Sequence, residues 1–255
     1  KTIEINLCDY DQYLINAKLN HKPLNQTVFL DSNLTANSDI RLNGLKKINS
    51  EKYFNALSRY FDLFEEKYQT EVIISAHPTS NYINNEFKGR KVTRLQTAEL
   101  VLKSKYVLSH HSTAISYAVL DYKPINFLLI DEWVGEYEEY TNTEISKSLG
   151  CKLINIDKIS SVDEMTFNKV DKNLYDNYKY NYIERLGENL ALMLEIVIKN
   201  IEKGQAVGGL RNIINDNKSR NLFNIYKNYI RINPICAQLL LLTPNDFEDW
   251  NDLTG

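Results

Sequence analysis

Short apolar runs that end in polar corners, separated by helix-patterned segments, constrain this chain more than any other feature. Thr27-Val28-Phe29-Leu30 ends at Asp31, Val72-Ile73-Ile74-Ser75-Ala76 at His77-Pro78-Thr79-Ser80-Asn81, and Tyr106-Val107-Leu108 at Ser109-His110-His111-Ser112-Thr113. Between the first two runs, Phe54, Leu57, Tyr60, Phe61, Phe64 and Tyr68 recur at the spacing of an amphipathic helix, which Ser50 can cap. Strand, helix and strand in succession imply a right-handed parallel crossover. The alternation continues. Lys91-Val92-Thr93 reads as a short strand, and Thr97 can cap the helix that begins there. Ser112 or Thr113 opens a helix that reaches Tyr122, where Lys123-Pro124 breaks it. Ile125 to Ile130 is a buried strand ending at Asp131-Glu132, residues 135–149 read as helix, and Lys152 to Ile156 as a last strand. This order predicts an α/β fold, a doubly wound parallel sheet.

The two ends of the chain differ from this pattern. In residues 1–26, Ile3 to Leu7 alternates like a half-buried strand and Asp9 to Asn20 reads as a turn and helix. Tyr182 to Lys203 reads as a long helix, Gly204 to Gly209 as a break, and 204–255 as a helical extension with Pro234 and Pro244 as boundaries. That extension carries no chemistry we can assign. It either packs on the α/β domain or mediates self-association.

Composition excludes several classes. At 255 residues the chain can bury a sizeable core, and a net charge of -3 gives no global pull toward nucleic acid or an anionic membrane. Cys8, Cys151 and Cys236 are few, odd in number and without CxxC spacing. They predict neither a disulfide framework nor a zinc site, and they fit a reducing cytoplasm. No apolar run approaches the ~20 residues that span a bilayer, and no signal peptide is visible. The GxGxxG, P-loop, HExxH and GxSxG patterns are absent, and Asp131-Glu132 is a poor metal site without further carboxylates, so no metal is predicted.

Open α/β sheets bind ligands outside the carboxyl ends of their strands, and helix N-termini offer unpaired N–H groups to anions. The polar corners therefore predict a site for a phosphate-bearing ligand. Pro78 keeps His77 out of helical geometry. His77 either hydrogen-bonds locally or donates to a phosphate or leaving-group oxygen; the strand before it and Thr79-Ser80-Asn81 after it favour the second. Ser112 and Thr113 read both as caps and as an anion cradle, and the two roles are compatible. His110 and His111 point to opposite faces if the strand continues; His111 is preferred because it lies nearer the helix opening. Asp31 is a candidate base, and Asp131-Glu132 a second carboxylate corner; either is equally a solvated turn. Glu99 suits its helix dipole or a ribose diol. Lys88, Arg90, Lys91 and Arg94 form a basic loop between the corners, from which Arg90 or Arg94 can meet a phosphate. The candidate catalytic pair is His77 and Asp31. The candidate ligand-binding set is Pro78, Ser80, Asn81, Arg94, Glu99, His111, Ser112 and Thr113.

His77-Pro78, then Ser112-Thr113 at a strand–helix turn, then Lys123-Pro124-Ile125 before a strand, together resemble the donor half of GT-B glycosyltransferases of bacterial surface polysaccharides. The similarity is greatest to the sialyltransferase, polysialyltransferase and Kdo-transferase group, whose HP and Ser/Thr motifs hold a CMP-sugar. Thr97 to Phe127 is also similar to the donor domain of CDP-glycerol glycerophosphotransferases. The resemblance covers roughly residues 27–130. It implies a Rossmann-like nucleotide-sugar-binding domain over residues 27–203, with 1–26 as a connector and 204–255 as the extension. It places His77 near the donor phosphate and leaving group, and Ser112 and Thr113 on the phosphate.

The implied activity is transfer of a CMP-activated nonulosonate or Kdo-like sugar to a cell-surface glycan such as lipopolysaccharide or capsule. No cofactor is needed beyond the nucleotide-sugar donor. The implied partners are a glycan or lipid-linked acceptor, with no nucleic acid. The implied place is the cytoplasm, in peripheral contact with the inner face of the membrane. The family's full fold has a second, N-terminal half that holds the acceptor and often the base. Either that half has been removed upstream of this sequence, or the chain is a minimal variant; a homo-oligomer is a further partner reading. The group's acidic base motif is not matched, which leaves Asp31. Other readings stay open: a CDP-polyol phosphotransferase, a nucleotide-sugar epimerase, or a non-catalytic nucleotide-binding or assembly module.

Overall fold

The computed structural model describes residues 7–19, 21–36 and 47–184. The strand expected at Ile3, the helix expected to reach Lys203, the break at 204–209 and the C-terminal extension lie outside the described residues. The chain divides into two compact units, residues 1–14 with 180–255, and residues 15–179.

The larger unit carries the sheet. Its strands are β1 (Gln26–Leu30), β2 (Glu71–Ser75), β3 (Val92–Thr93), β4 (Tyr106–Ser109), β5 (Ile125–Leu129) and β6 (Lys152–Asn155). They lie in the order β3-β2-β1-β4-β5-β6, and every pairing is parallel. This is the Rossmann-like, doubly wound order. The chain builds outward from β1 to β3, then returns to lay β4 against the other side of β1. Val28, Ile73 and Val107 share one register, and each is buried. Strands covered on both faces need near-continuous apolar sequence, which is why these runs do not alternate.

Helices α1 (Cys8–Ala17), α2 (Ser50–Tyr68), α3 (Thr97–Lys103), α4 (Ile115–Leu120), α5 (Tyr137–Ser148) and α6 (Lys172–Tyr182) complete the elements. The apolar stripe of α2 buries Tyr53, Leu57, Tyr60, Phe61 and Phe64. Phe61 meets Phe29 of β1 edge-on, with ring centroids 5.2 Å apart. Each such ring contributes about 1.5–3 kcal/mol by leaving water.

Helix boundaries depart from the sequence expectations for local reasons. Asn49, not Ser50, caps α2: its backbone is extended and its side chain accepts from Lys52 N at 2.9 Å. Thr97 sits inside α3 and its hydroxyl is 2.8 Å from Ser75 Oγ, so no side chain caps that helix. The segment Ser112 to Ala114 forms a turn, and α4 begins only at Ile115. It stops at Leu120, before the left-handed Tyr122. Of helix α6, Tyr175 alone is buried. Its hydroxyl donates to Lys123 O at 2.9 Å and its ring stacks on Tyr122.

In the smaller unit the described residues are 7–14 and 180–184, where Leu7 N donates to Ile183 O at 2.8 Å. Among the described residues no helix is long and apolar enough to cross a membrane.

Candidate functional site at the sheet switch point

Strands β1, β2 and β4 end side by side: Leu30 pairs with Ser75 on one flank and with Ser109 on the other. All three run parallel, so the three following corners lie on one rim, with the β1 corner in the middle. The sheet's order reverses here, and this is where open α/β sheets leave a crevice.

Side chains of the β1 corner tie the other two to it. The Asp31 carboxylate is 6% exposed and both of its oxygens are engaged. Oδ1 accepts from Asn33 N at 2.9 Å. Oδ2 accepts from His77 N at 2.9 Å and from the Tyr82 hydroxyl at 2.7 Å. Asp31 was expected as a base; with these donors around it, the carboxylate is occupied in holding loops. On the other flank, Ser32 Oγ donates to His111 O at 2.9 Å. Asn33 takes a left-handed backbone, φ 51°, which asparagine tolerates better than most residues.

The His77 ring is oriented by the same network. Thr79 N donates to His77 Nδ1 at 3.3 Å, and Thr79 Oγ1 lies 2.9 Å from the same nitrogen. An N–H only donates, so Nδ1 accepts and this network assigns the proton of the neutral ring to Nε2. Asn33 Nδ2 in turn donates to Thr79 Oγ1 at 3.3 Å. Nε2 of the half-buried His77 has no protein partner among the described residues.

The remaining candidates divide. Ser80 is buried, and its N and Oγ both donate to His77 O, at 3.0 and 2.7 Å, so it closes the turn after Pro78. Asn81 is exposed. Ser112 Oγ accepts from Ala114 N at 3.3 Å, while Thr113 is exposed and its hydroxyl makes no bond among the described residues. His111 is exposed on the rim; desolvation lowers its pKa and the Glu138 charge opposes that shift. His110 faces the other way and is completely buried. Glu99 pairs with Lys103 one turn on, and that hydrogen bond holds its pKa below the usual carboxylate value. Arg94 is exposed at the end of β3. Arg90, the alternative phosphate contact in the basic loop, binds Asp62 at 2.5 Å and Glu65 at 2.7 Å and lies over Phe61, so its charge is committed to α2.

At the start of α2, a cavity of about 390 Å³ is lined by Lys47, Ile48, Asn49, Ser50 and Glu132. Among the described residues no cluster of three or more His, Cys, Asp or Glu is placed to hold a metal ion.

No family model and no curated protein matches the chain. Among solved structures, similarity is found at low identity. A UDP-GlcNAc 2-epimerase of Methanocaldococcus jannaschii, in complex with UDP-GlcNAc and UDP, is 16% identical with a TM-score of 0.38, covering 68% of this chain and 52% of that one. A variant of the wall teichoic acid polymerase TagF is 12% identical with a TM-score of 0.41, covering 80% and 53%. The spinosyn forosaminyltransferase SpnP is 16% identical with a TM-score of 0.36, covering 73% and 45%. The chain thus spans about half the length of each. Its fold is read from its own strand order.

Asn33, Thr79 and Tyr82 escaped the sequence reading as site residues. Asn33 and Thr79 had one signal, their places directly after the strand-end residues. Tyr82 had none, because a loop tyrosine shows nothing of which carboxylate it will reach.

Proposed function

We propose that the rim of β1, β2 and β4 holds the phosphate of a nucleotide-activated sugar, and that the chain is the donor-binding half of a GT-B glycosyltransferase. One observation carries the reading: the His77 corner and the Ser112-Thr113 corner flank β1 on the same rim, each with a donor that the protein leaves unused. Two strand spacings, about 9.6 Å, separate the corners. Side chains reaching inward from both corners narrow that gap to one that a single tetrahedral phosphate, bonded on both sides, can bridge.

In the proposed step the acceptor hydroxyl oxygen bonds to the anomeric carbon. The bond from that carbon to the donor phosphate oxygen breaks, and its electron pair leaves with the phosphate. The acceptor proton passes to a base supplied from the acceptor side. In this reading Nε2–H of His77 and the Thr113 hydroxyl stabilise the charge that grows on the leaving phosphate, a preorganised electrostatic role. The motif resemblance favours CMP as the nucleotide, a nonulosonate or Kdo-like sugar, and a cell-surface glycan acceptor at the inner face of the membrane.

Calorimetry of the full protein with CMP, CDP and UDP, beside product masses from candidate donors, tests this. The expected outcome is CMP binding that His77→Ala weakens, together with a transferred sugar. A transferred polyol phosphate would move the reading to a phosphotransferase, and an isomerised donor to an epimerase. Binding without turnover would leave a nucleotide-binding module. No binding of any of the three nucleotides would overturn the proposal.

A further inference from the structure

We infer that Tyr82 is a positioning residue for His77 and acts through the Asp31 carboxylate; the inference rests on the donor-site reading of His77. One oxygen of Asp31 takes both the backbone N of His77 and the hydroxyl of Tyr82, at 2.9 and 2.7 Å. These two donors bound the segment 77–82 of the longer loop between β2 and β3. A single carboxylate oxygen therefore closes that segment on itself and pins it to the end of β1.

Tyr82 is itself held from outside the loop. Its ring meets Phe87 at 4.8 Å and Phe54 of α2 at 5.9 Å, both edge-on. Burial first, and then the Asp31 charge, hold the phenol protonated, so its hydroxyl remains a donor. The orientation of the His77 ring depends on this closure, because the group that assigns its tautomer, Thr79, is a member of the same loop. Without the Tyr82 hydroxyl, Oδ2 keeps one donor, and the far end of the loop keeps its ring packing but loses its bond to Asp31. The ring of His77 then samples both tautomers and more than one rotamer. Asp31 acts here by geometry and transfers no proton.

The test compares wild-type full chain with Tyr82→Phe and Asp31→Asn by two readouts. One is the nitrogen spectrum of the His77 imidazole, assigned by its loss in His77→Gln; the other is calorimetry with CMP. Both variants are expected to move the Nδ1 and Nε2 signals toward a tautomer average. Both are expected to weaken CMP binding about two- to tenfold, the range of one lost hydrogen bond. Phe keeps the ring packing, and Asp31→Asn reaches the same loop should Tyr82→Phe not fold. A wild-type imidazole spectrum in Tyr82→Phe overturns the inference, with or without weaker binding. If wild type binds no CMP, the donor reading fails alone, and the spectra still decide whether Tyr82 positions His77. Turnover lost in Asp31→Asn but kept in Tyr82→Phe, with both spectra unchanged, would make Asp31 a base and also overturn it.

Discussion

The Tyr53 hydroxyl lies 3.1 Å from Nε2 of His110, in a fully buried contact between α2 and the end of β4. On the far side of the ring, Nδ1 is 2.8 Å from Leu128 O. A carbonyl only accepts, so Nδ1 carries the proton, Nε2 accepts, and Tyr53 donates. Phe29 and Trp133 wall the ring with centroids at 5.7 and 5.3 Å. His110 is thus part of the packing beneath the rim, while His111 is turned out to the rim itself.

This burial makes a pH prediction. Desolvation lowers the His110 pKa to about 4 from an ordinary 6.5, although the bond to Leu128 O opposes the shift. Between those values the unfolded chain binds the proton and the folded protein does not, so stability rises with pH across the window. His110 contributes fully above pH 6.5, and its contribution falls through the window to a loss of ~3 kcal/mol below pH 4. Denaturant unfolding of wild type and His110→Gln at several pH values reads this directly. The gap between the two profiles should close as pH falls from 6.5 to 4; a gap that is constant with pH would refute the assignment.

Much of the sheet was legible because strands buried on both faces need apolar runs and end where polar residues begin; Val72 to Ser75 and Tyr106 to Leu108 are such cases. The 3.6-residue stripe of Phe54 to Tyr68 was equally plain. Less legible was anything decided by a tertiary partner. Asn49 and Ser50 are both cap-competent, and only the extended backbone at Asn49 chooses between them. Arg90 looks like a phosphate ligand until α2 presents Asp62 and Glu65 to it. The sequence shows a carboxylate at Asp31 but not the three donors that tertiary structure brings to it, Asn33 N, His77 N and the Tyr82 hydroxyl.

Arg90 gives the second prediction. Its side chain is 9% exposed, and its partners Asp62 and Glu65 keep 65% and 29% of their surface in water. Burial works against the Arg90 charge, but the hydrogen bonds and charges of Glu65 and Asp62 outweigh it, and its pKa lies above the usual value. Removing the guanidinium loses the bonds and the contact over Phe61, while the exposed partners can still be hydrated. Arg90→Ala should therefore cost about 1–3 kcal/mol, below the full cost of breaking a buried pair. CMP affinity should stay within about twofold of wild type. A larger loss of CMP binding with unchanged stability would return Arg90 to the ligand site.

The end of α5 gives the third. Gly150 N donates to Lys147 O at 3.1 Å and Cys151 N to Ser146 O at 2.8 Å, the bond pair of a Schellman cap. That cap needs the left-handed φ of 63° at Gly150. A Cβ there would come 2.8 Å from Leu174 Cδ1, but this is the end of a flexible side chain that can move. The backbone conformation then sets the main cost, about 1–2 kcal/mol for Gly150→Ala. Thermal unfolding should show a lower midpoint with CMP binding unchanged, since β6 and the rim beside β1 are separated by β4 and β5.

Thr113 offers the cleanest separation of binding from folding on the rim. Its carbonyl holds the turn into α4, accepting from Ser116 N at 3.1 Å and Ser116 Oγ at 2.8 Å. Its hydroxyl bonds nothing among the described residues, in contrast to Ser112, whose hydroxyl already accepts from Ala114 N. Thr113→Ala removes the unused hydroxyl and the methyl of an exposed side chain, so stability should change by less than about 0.5 kcal/mol. If that hydroxyl meets the donor phosphate opposite His77, CMP affinity should fall about two- to tenfold, and Thr113→Ser should restore it. Ser112→Ala should instead lower both stability and affinity, because it also removes the hydroxyl that accepts from Ala114 N in the turn before α4. Equal affinities for wild type and Thr113→Ala, in a protein that does bind CMP, would place the phosphate elsewhere on the rim.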